Sequence, residues 1–311
     1  MGAPPLRLCP ACEAGEAVGA GEPLWPVGWA CLECGAAVPV CGGIASFAPA
    51  LADTVAGFDP ASFAGLAAIE DGHFWFVPRN RLIVGLLDRY FPAASRLLEV
   101  GCGNGAVLAA IARSRPWGRL IGSELHPTGL ANARARLAGR AEFAQMDARH
   151  IPARHAFDVI GAFDVLEHVK EDEAVLLSMR DALAPGGGGV VLAVPQHPWL
   201  WSRADEIAHH ERRYRRGELE RKVEAAGFRV AFTGSYTAVL LPLMAASRWL
   251  SGRAAATPRE ERGATMAEME MCLPPMLNAG LRAILHAEVR TTLAGLRWPA
   301  GGSRIVVAVR D

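Results

Sequence analysis

The chain has 311 residues, 51% of them hydrophobic, and its 32 basic and 32 acidic side chains leave a formal net charge of zero. That is enough apolar sequence for one large core plus a small accessory module. A balanced charge supplies no field to steer a polyanion, which argues against general nucleic-acid binding.

No apolar run is long enough to cross a bilayer. The best, Tyr236–Leu250, is short and contains Pro, Ser and Arg. The N-terminus, MGAPPLRLCPAC, lacks the apolar core of a signal peptide. A cytoplasmic protein is expected, with weak membrane-surface contact left open and the oligomeric state undetermined.

Residues 1–48 are rich in Gly, Pro, Ala and Cys and lack helical periodicity, so they form a first module. Cys9, Cys12, Cys31 and Cys34 read C-x2-C-x18-C-x2-C, a spacing suited to a four-thiolate zinc site. Each pair makes a tight knuckle, and four sulfurs reach a tetrahedron. All four ligands are sulfur, so the expected Zn2+ is structural and holds together a module too small for its own core. Cys41 is expected to pack as a small hydrophobe.

Residues 49–95 read as helix, a cap ahead of the main domain; LADTVAGF, FAGLAAIEDGHFWF and RNRLIVGLLDRYF carry apolar positions at helical spacing. From residue 96 to 311 strands alternate with helices. RLLEVG, RLIGSEL, AEFAQMD, FDVIGAFDVLEHV, GVVLAVP and FRVAFTGSY supply six strands, and SRIVVAVRD a seventh. The alternation predicts an α/β fold with a doubly wound, Rossmann-like sheet. Residues 236–296, between the sixth and seventh strands, are read as a helical insertion over the ligand mouth.

The GCGNGA loop places Gly101, Gly103 and Gly105 between a strand and a helix, where backbone bends sharply or meets a ligand. It matches the dinucleotide fingerprint, and Glu124 stands where an acid binds ribose hydroxyls. That pattern alone does not separate NAD from another adenosyl cofactor. Glu99 lies just before the loop, where a carboxylate holds an ammonium group or orders the turn. Asp147 ends the third strand, where it can accept from an adenine amino group. Asp164, Glu167 and His168 follow the fourth strand.

Taken in this order, the residues resemble the class I S-adenosylmethionine-dependent methyltransferases, nearest to the bacterial subgroup labelled methyltransferase type 11. The resemblance implies a seven-stranded methyltransferase sheet with S-adenosyl-L-methionine as cofactor and S-adenosyl-L-homocysteine as product. It places the methionyl part on Glu99 and Gly101, Cys102, Gly103 and Gly105, the ribose on Glu124 beside Leu125, and the adenine on Asp147 beside Ala148. Arg79, Asp164 and His168 complete the expected cofactor set, with Arg79 on the methionyl carboxylate. The segment CPAC…CLECGAAVPVCGGIASF is similar to the zinc ribbon that precedes some of these enzymes.

The expected reaction is in-line displacement toward a small-molecule acceptor: a sugar, a lipid-linked glycan or a secondary metabolite. His197 is the first candidate for a general base, His168 the second, and His73 a third. Tyr214 joins them from PQHPWLWSRADEIAHHERRYRR, a loop expected to overhang the acceptor. Two other readings compete with this one. One is an RNA base methyltransferase docking RNA through the ribbon, against which stand the ribbon's single arginine and several acids. The other is a scaffold that binds the cofactor without turnover, against which stand Glu99, Glu124 and Asp147.

Overall fold

The computed structural model describes residues 4–52, 60–254 and 273–310. In chain order the N-terminal module contributes strands β1 (Leu6–Leu8), β2 (Gly15–Ala17), β3 (Val40–Cys41) and β4 (Ile44–Ser46). The cap follows as helices α1 (Ser62–Ile69) and α2 (Phe76–Tyr90). Then come β5 (Arg96–Val100), α3 (Ala106–Ser114), β6 (Arg119–Glu124), α4 (Pro127–Leu137), β7 (Glu142–Gln145) and the short β8 (Ala153–Arg154). The chain continues through β9 (Val159–Phe163), α5 (Asp172–Ala182), β10 (Gly189–Pro195), α6 (Arg203–Ile207), α7 (Glu218–Ala225) and β11 (Phe228–Tyr236). Helices α8 (Leu241–Ala254) and α9 (Pro275–Leu293) precede the last strand, β12 (Ser303–Arg310).

The central sheet runs β11-β12-β10-β9-β5-β6-β7-β4-β3. Strands β4, β7, β6, β5, β9 and β10 are mutually parallel, while β12 is antiparallel to both β10 and β11. VIGAF in β9 and GVVLAVP in β10 are buried at every position. That is the pattern of parallel strands covered on both faces, and it explains why they read as unbroken apolar runs. The strand order reverses beside β5, so the carboxyl ends of β5 and β9 open onto the crevice where such sheets take ligands.

Seven of these strands are the expected ones. Two are not: β3 and β4 extend the sheet beyond β7 from within the cysteine-rich module, with β4 parallel to β7. Gln145 fastens this edge, accepting from Ser46 Oγ at 2.8 Å and from the Ala48 amide at 3.0 Å. Cys41 lies exposed on this edge and does not pack as a hydrophobe.

The module is also fused to the domain through β1, which pairs with β8. Trp25 donates from Nε1 to the Pro152 carbonyl at 3.0 Å and packs edge-on to Phe47. Leu24, Trp25 and Trp29 share one continuous apolar core with Ile160, Val175 and Val190. The module thus borrows the domain's core.

Of the expected cap helices, α1 and α2 form. LADTVAGF contributes a single 3-10 turn at Pro49–Leu51, and residues 53–59 lie outside the described residues. Helix α2 packs on α9, where Gly85 admits Leu293: a Cβ at Gly85 would meet Leu293 Cδ2 at 2.6 Å. Asn278 of α9 accepts from the Phe74 amide at 2.7 Å and donates to the Gly72 carbonyl at 3.0 Å, and Tyr236 donates its hydroxyl to the Trp75 carbonyl at 2.8 Å. The insertion therefore braces the cap. No described helix is long and apolar enough to cross a membrane.

Candidate active site

Strand β5 ends in a turn whose three glycines all have left-handed backbone, with φ of 65°, 52° and 74° at Gly101, Gly103 and Gly105. Only glycine adopts these angles without strain. Their surroundings differ. A Cβ on Gly101 would sit 2.5 Å from Val165 Cγ2, and one on Gly105 would meet Leu137 at 2.9 Å, so both are needed for packing. Around Gly103 the nearest atom is Phe63 Cε1 at 3.7 Å. Cys102 turns inward, its thiol buried and its amide committed to the Ser123 carbonyl at 2.8 Å. It shapes the loop from beneath.

Glu99, on β5, is 2% exposed, and its Oε2 has no hydrogen-bond partner. Burial pushes its carboxyl well above the usual range, against partial relief from the Arg79 guanidinium. A buried carboxylate oxygen without a donor, behind an αL turn, suits the ammonium end of an amino-acid ligand. Glu124, at the end of β6, accepts from the Gly103 amide at 3.0 Å and the Leu125 amide at 2.7 Å. It ties the glycine loop to the next strand end. Asp147 and neighbouring Ala148 follow β7. Burial works against ionisation of Asp147, but Arg149 grips both its oxygens, with Nη2 at 2.7 Å, and the carboxyl stays below its ordinary value. An adenine amino group would share that carboxylate with Arg149.

Helix α1 lies across the glycine loop. Asn104 donates to the Phe63 carbonyl at 2.9 Å and accepts from Asn132 at 2.8 Å, and Arg136 pairs with Glu70 at 3.0 Å. Asn104 was not among the expected site residues. Its position inside GCGNGA was the available signal, because a buried amide in a glycine turn has to bond something. Arg79, 4% exposed on α2, lies over the Trp75 ring with its carbon 4.6 Å from the centroid, and it pairs with Asp164. The guanidinium expected to hold the methionyl carboxylate thus carries a carboxylate partner from β9. Its Nε remains buried without one.

The other side of the crevice is built where β9 and β10 end. Asp164 and His197, the residues just past these strands, both have left-handed backbone, with φ of 58° and 66°. Such non-glycine strain persists only where surrounding structure imposes it. The loop after β10 folds back so that His197 donates its amide to the Tyr214 carbonyl at 2.9 Å and Glu211 donates to the Glu167 carbonyl at 2.8 Å. This clamp sets His210 against His168, ring centroids 4.7 Å apart and nearly perpendicular.

The base candidates separate on this geometry. His197 keeps a buried Nε2 without a partner; burial, then Arg304 and Arg213, lower its pKa, so it is neutral and able to accept a proton. His73 is buried beside Phe74, accepts the Trp75 amide at Nδ1, and is likewise lowered by burial. Tyr214 is corrected: it is fully buried, and its hydroxyl donates to Asp172 at 2.6 Å. Burial and that carboxylate push its pKa far up, so it serves as a core strut and not as a base.

The four cysteines of the N-terminal module converge. Their sulfurs lie within 4.8 Å of one another, with Cys9 to Cys34 at 3.6 Å and Cys12 to Cys31 at 3.7 Å. A zinc tetrahedron with bonds of about 2.3 Å has edges of about 3.8 Å, so the donor set fits. The two knuckles repeat one geometry. Glu13 donates its amide to the Cys9 carbonyl and Gly35 to the Cys31 carbonyl, both at 2.9 Å, and both donors have positive φ.

Comparison with known proteins follows the same lines. A family model described as a methyltransferase domain matches residues 75–231, half of the chain. Trans-aconitate 2-methyltransferase of Methylobacterium radiotolerans is 39% identical over 117 residues, covering 37% of this chain and 44% of that protein. Ubiquinone biosynthesis O-methyltransferase of Psychrobacter arcticus is 31% identical over 111 residues, covering 34% of this chain and 43% of that one. The chain spans about half the length of the curated relatives it matches. Among solved structures, Haemonchus contortus phosphoethanolamine N-methyltransferase 2 in complex with S-adenosyl-L-methionine superposes with a TM-score of 0.53 at 18% identity, covering 88% of this chain and 62% of that one. A sheet ordered in this way, a left-handed glycine turn at its switch point and a family match across half its length place this chain among the class I S-adenosylmethionine-dependent methyltransferases.

Proposed function

We propose that the protein transfers a methyl group from S-adenosyl-L-methionine to a small-molecule acceptor, with a structural zinc in the N-terminal module. The observation that carries this reading is the bed at the end of β5: three left-handed glycines, of which Gly103 is not needed for packing, and the unpartnered buried oxygen of Glu99. When bound, the cofactor supplies a methyl carbon already activated by its sulfonium. Glu99 and Arg79 would hold the amino-acid end, Glu124 the ribose and Asp147 the adenine. Trp75, over Arg79, would help exclude water, and the α8–α9 insertion would wall the acceptor side. His197, neutral and with a free Nε2, would take the proton of an O–H or N–H acceptor.

Small acceptors are supported by the names of the relatives, which act on trans-aconitate and in ubiquinone biosynthesis. The RNA reading has less support. Arg7, the arginine of the N-terminal module, is 5% exposed and paired with both Glu16 and Glu22, so it offers nothing to phosphate.

Calorimetry with S-adenosylhomocysteine tests the assignment. The chain should bind it, and Glu124→Ala should weaken binding by about 1–3 kcal/mol from the lost ribose bonds. Unchanged affinity in that variant would refute the placement.

A further inference from the structure

Beside the cysteine cluster, a second set of metal-capable side chains converges among the described residues: Glu167, His168 and His210, whose ligand atoms lie within 4.8 Å of one another. Glu167 is fully buried, and neither carboxylate oxygen accepts a hydrogen bond from another residue. The nearby cations are already spent. Arg79 pairs with Asp164, and Arg213 donates from Nε to Asp205 at 2.6 Å. A carboxyl group is thus enclosed with neither a hydrogen-bond donor nor a cation of its own, an arrangement that proteins otherwise avoid.

His210 is oriented for ligation. Asp205 is buried and accepts from the Ser202 amide at 2.8 Å and from Arg213 Nε at 2.6 Å. A carboxylate paired with a guanidinium is an acceptor, so His210 Nδ1, 2.9 Å from Asp205 Oδ1, is the donor of that contact. The lone pair is left on Nε2. A carboxylate fixing the far nitrogen of an imidazole is the usual support of a metal-bound histidine.

We propose that Glu167, His168 and His210 bind a divalent transition cation, which takes the methyl acceptor through a hydroxyl oxygen. Two imidazoles and one carboxylate suit such an ion and leave open coordination positions. This deepens the methyltransferase reading and rests on it for the identity of the acceptor. The cation polarises the hydroxyl. Its proton passes to His197, the oxygen forms the new O–CH3 bond, and the sulfonium C–S bond breaks with its electron pair remaining on sulfur.

The test titrates the full chain with Mn2+, reading the free ion by electron paramagnetic resonance, alongside calorimetry with S-adenosylhomocysteine. Mn2+ is the probe because thiolates select softer ions. One Mn2+ per chain is expected, with Glu167→Gln and His210→Gln each weakening it by about 10-fold or more, while both variants still bind S-adenosylhomocysteine. Should Glu167→Gln fail to fold, His210→Gln, on a half-buried side chain, decides alone. A chain that binds S-adenosylhomocysteine but no Mn2+, or variants that hold Mn2+ as tightly as the parent, overturns the cation site. Mn2+ binding that responds to both substitutions in a chain unable to bind S-adenosylhomocysteine upholds the cation site and removes the methyl-transfer reading.

Discussion

The two places among the described residues where metal-capable side chains gather are built in opposite ways. In the N-terminal module each ligand pair sits three residues apart in one knuckle, closed by two amide-to-carbonyl bonds and a left-handed residue. Local backbone geometry does the work, and only the meeting of two knuckles needs tertiary structure. At the end of β9 the ligands are Glu167 and His168 on one turn and His210 some forty residues later. They meet because the loop after β10 returns and bonds Glu211 to the Glu167 carbonyl. The first arrangement is written in residue spacing; the second exists only once the sheet has formed.

That contrast orders the expected consequences of mutation. The largest effect belongs to the cysteines, because Leu24, Trp25 and Trp29 pack into the same core as the domain. Cys12→Ser should abolish zinc retention and destabilise the whole chain by about 4 kcal/mol or more, as loss of a structural metal does. Elemental analysis with thermal unfolding checks this. Loss of the module's fold alone, with the domain's transition unmoved, would break the picture of a shared core.

Next comes His197, which belongs to the tertiary side of the comparison. His197→Ala should lower turnover by about 10²–10⁴-fold, the usual contribution of a positioned base, with S-adenosylhomocysteine affinity retained. Steady-state kinetics with an accepted substrate reads it, and unchanged turnover would remove the residue from the mechanism.

The smallest effect sharpens the second cluster. Burial, then the neighbouring Asp164 charge, raise the Glu167 pKa above its unfolded value of about 4.3. A raised carboxyl pKa means that the folded state holds its proton longer. Stability from this group is therefore greatest below the unfolded pKa and falls as pH rises toward the folded one. In metal-free protein Glu167→Gln should gain about 1–3 kcal/mol relative to the parent between pH 4 and pH 8, because the amide has no charge to bury. Urea unfolding at the two pH values measures the difference, and saturating Mn2+ should reverse its sign at pH 8.

Much of the site was legible from local pattern. Gly101, Gly103 and Gly105 announce a turn, since left-handed backbone selects glycine regardless of the surrounding fold. Glu99, Glu124 and Asp147 sit at strand ends, and alternation of strand and helix places strand ends together. Tyr214 was misread for the converse reason. Its loop is expected to overhang the crevice, but the side chain is buried in the core, and only the position of Asp172 on α5 reveals that. Strands β3 and β4 were missed because two- and three-residue strands carry no periodicity; the pairing of β4 with β7 depends on Gln145, about a hundred residues away.

Sequence by itself therefore determined what short-range stereochemistry controls: the glycine turn, the order of acidic strand ends, the cysteine knuckles and the doubly wound class. Tertiary structure decided which side chains face one another. It fused the cysteine module into the sheet through β4, paired Arg79 with Asp164, turned Tyr214 inward and brought His210 to Glu167. The physical reason is range. Backbone preference acts over a few residues, whereas the burial of a charge, and the partner it then requires, is known only when distant segments have packed.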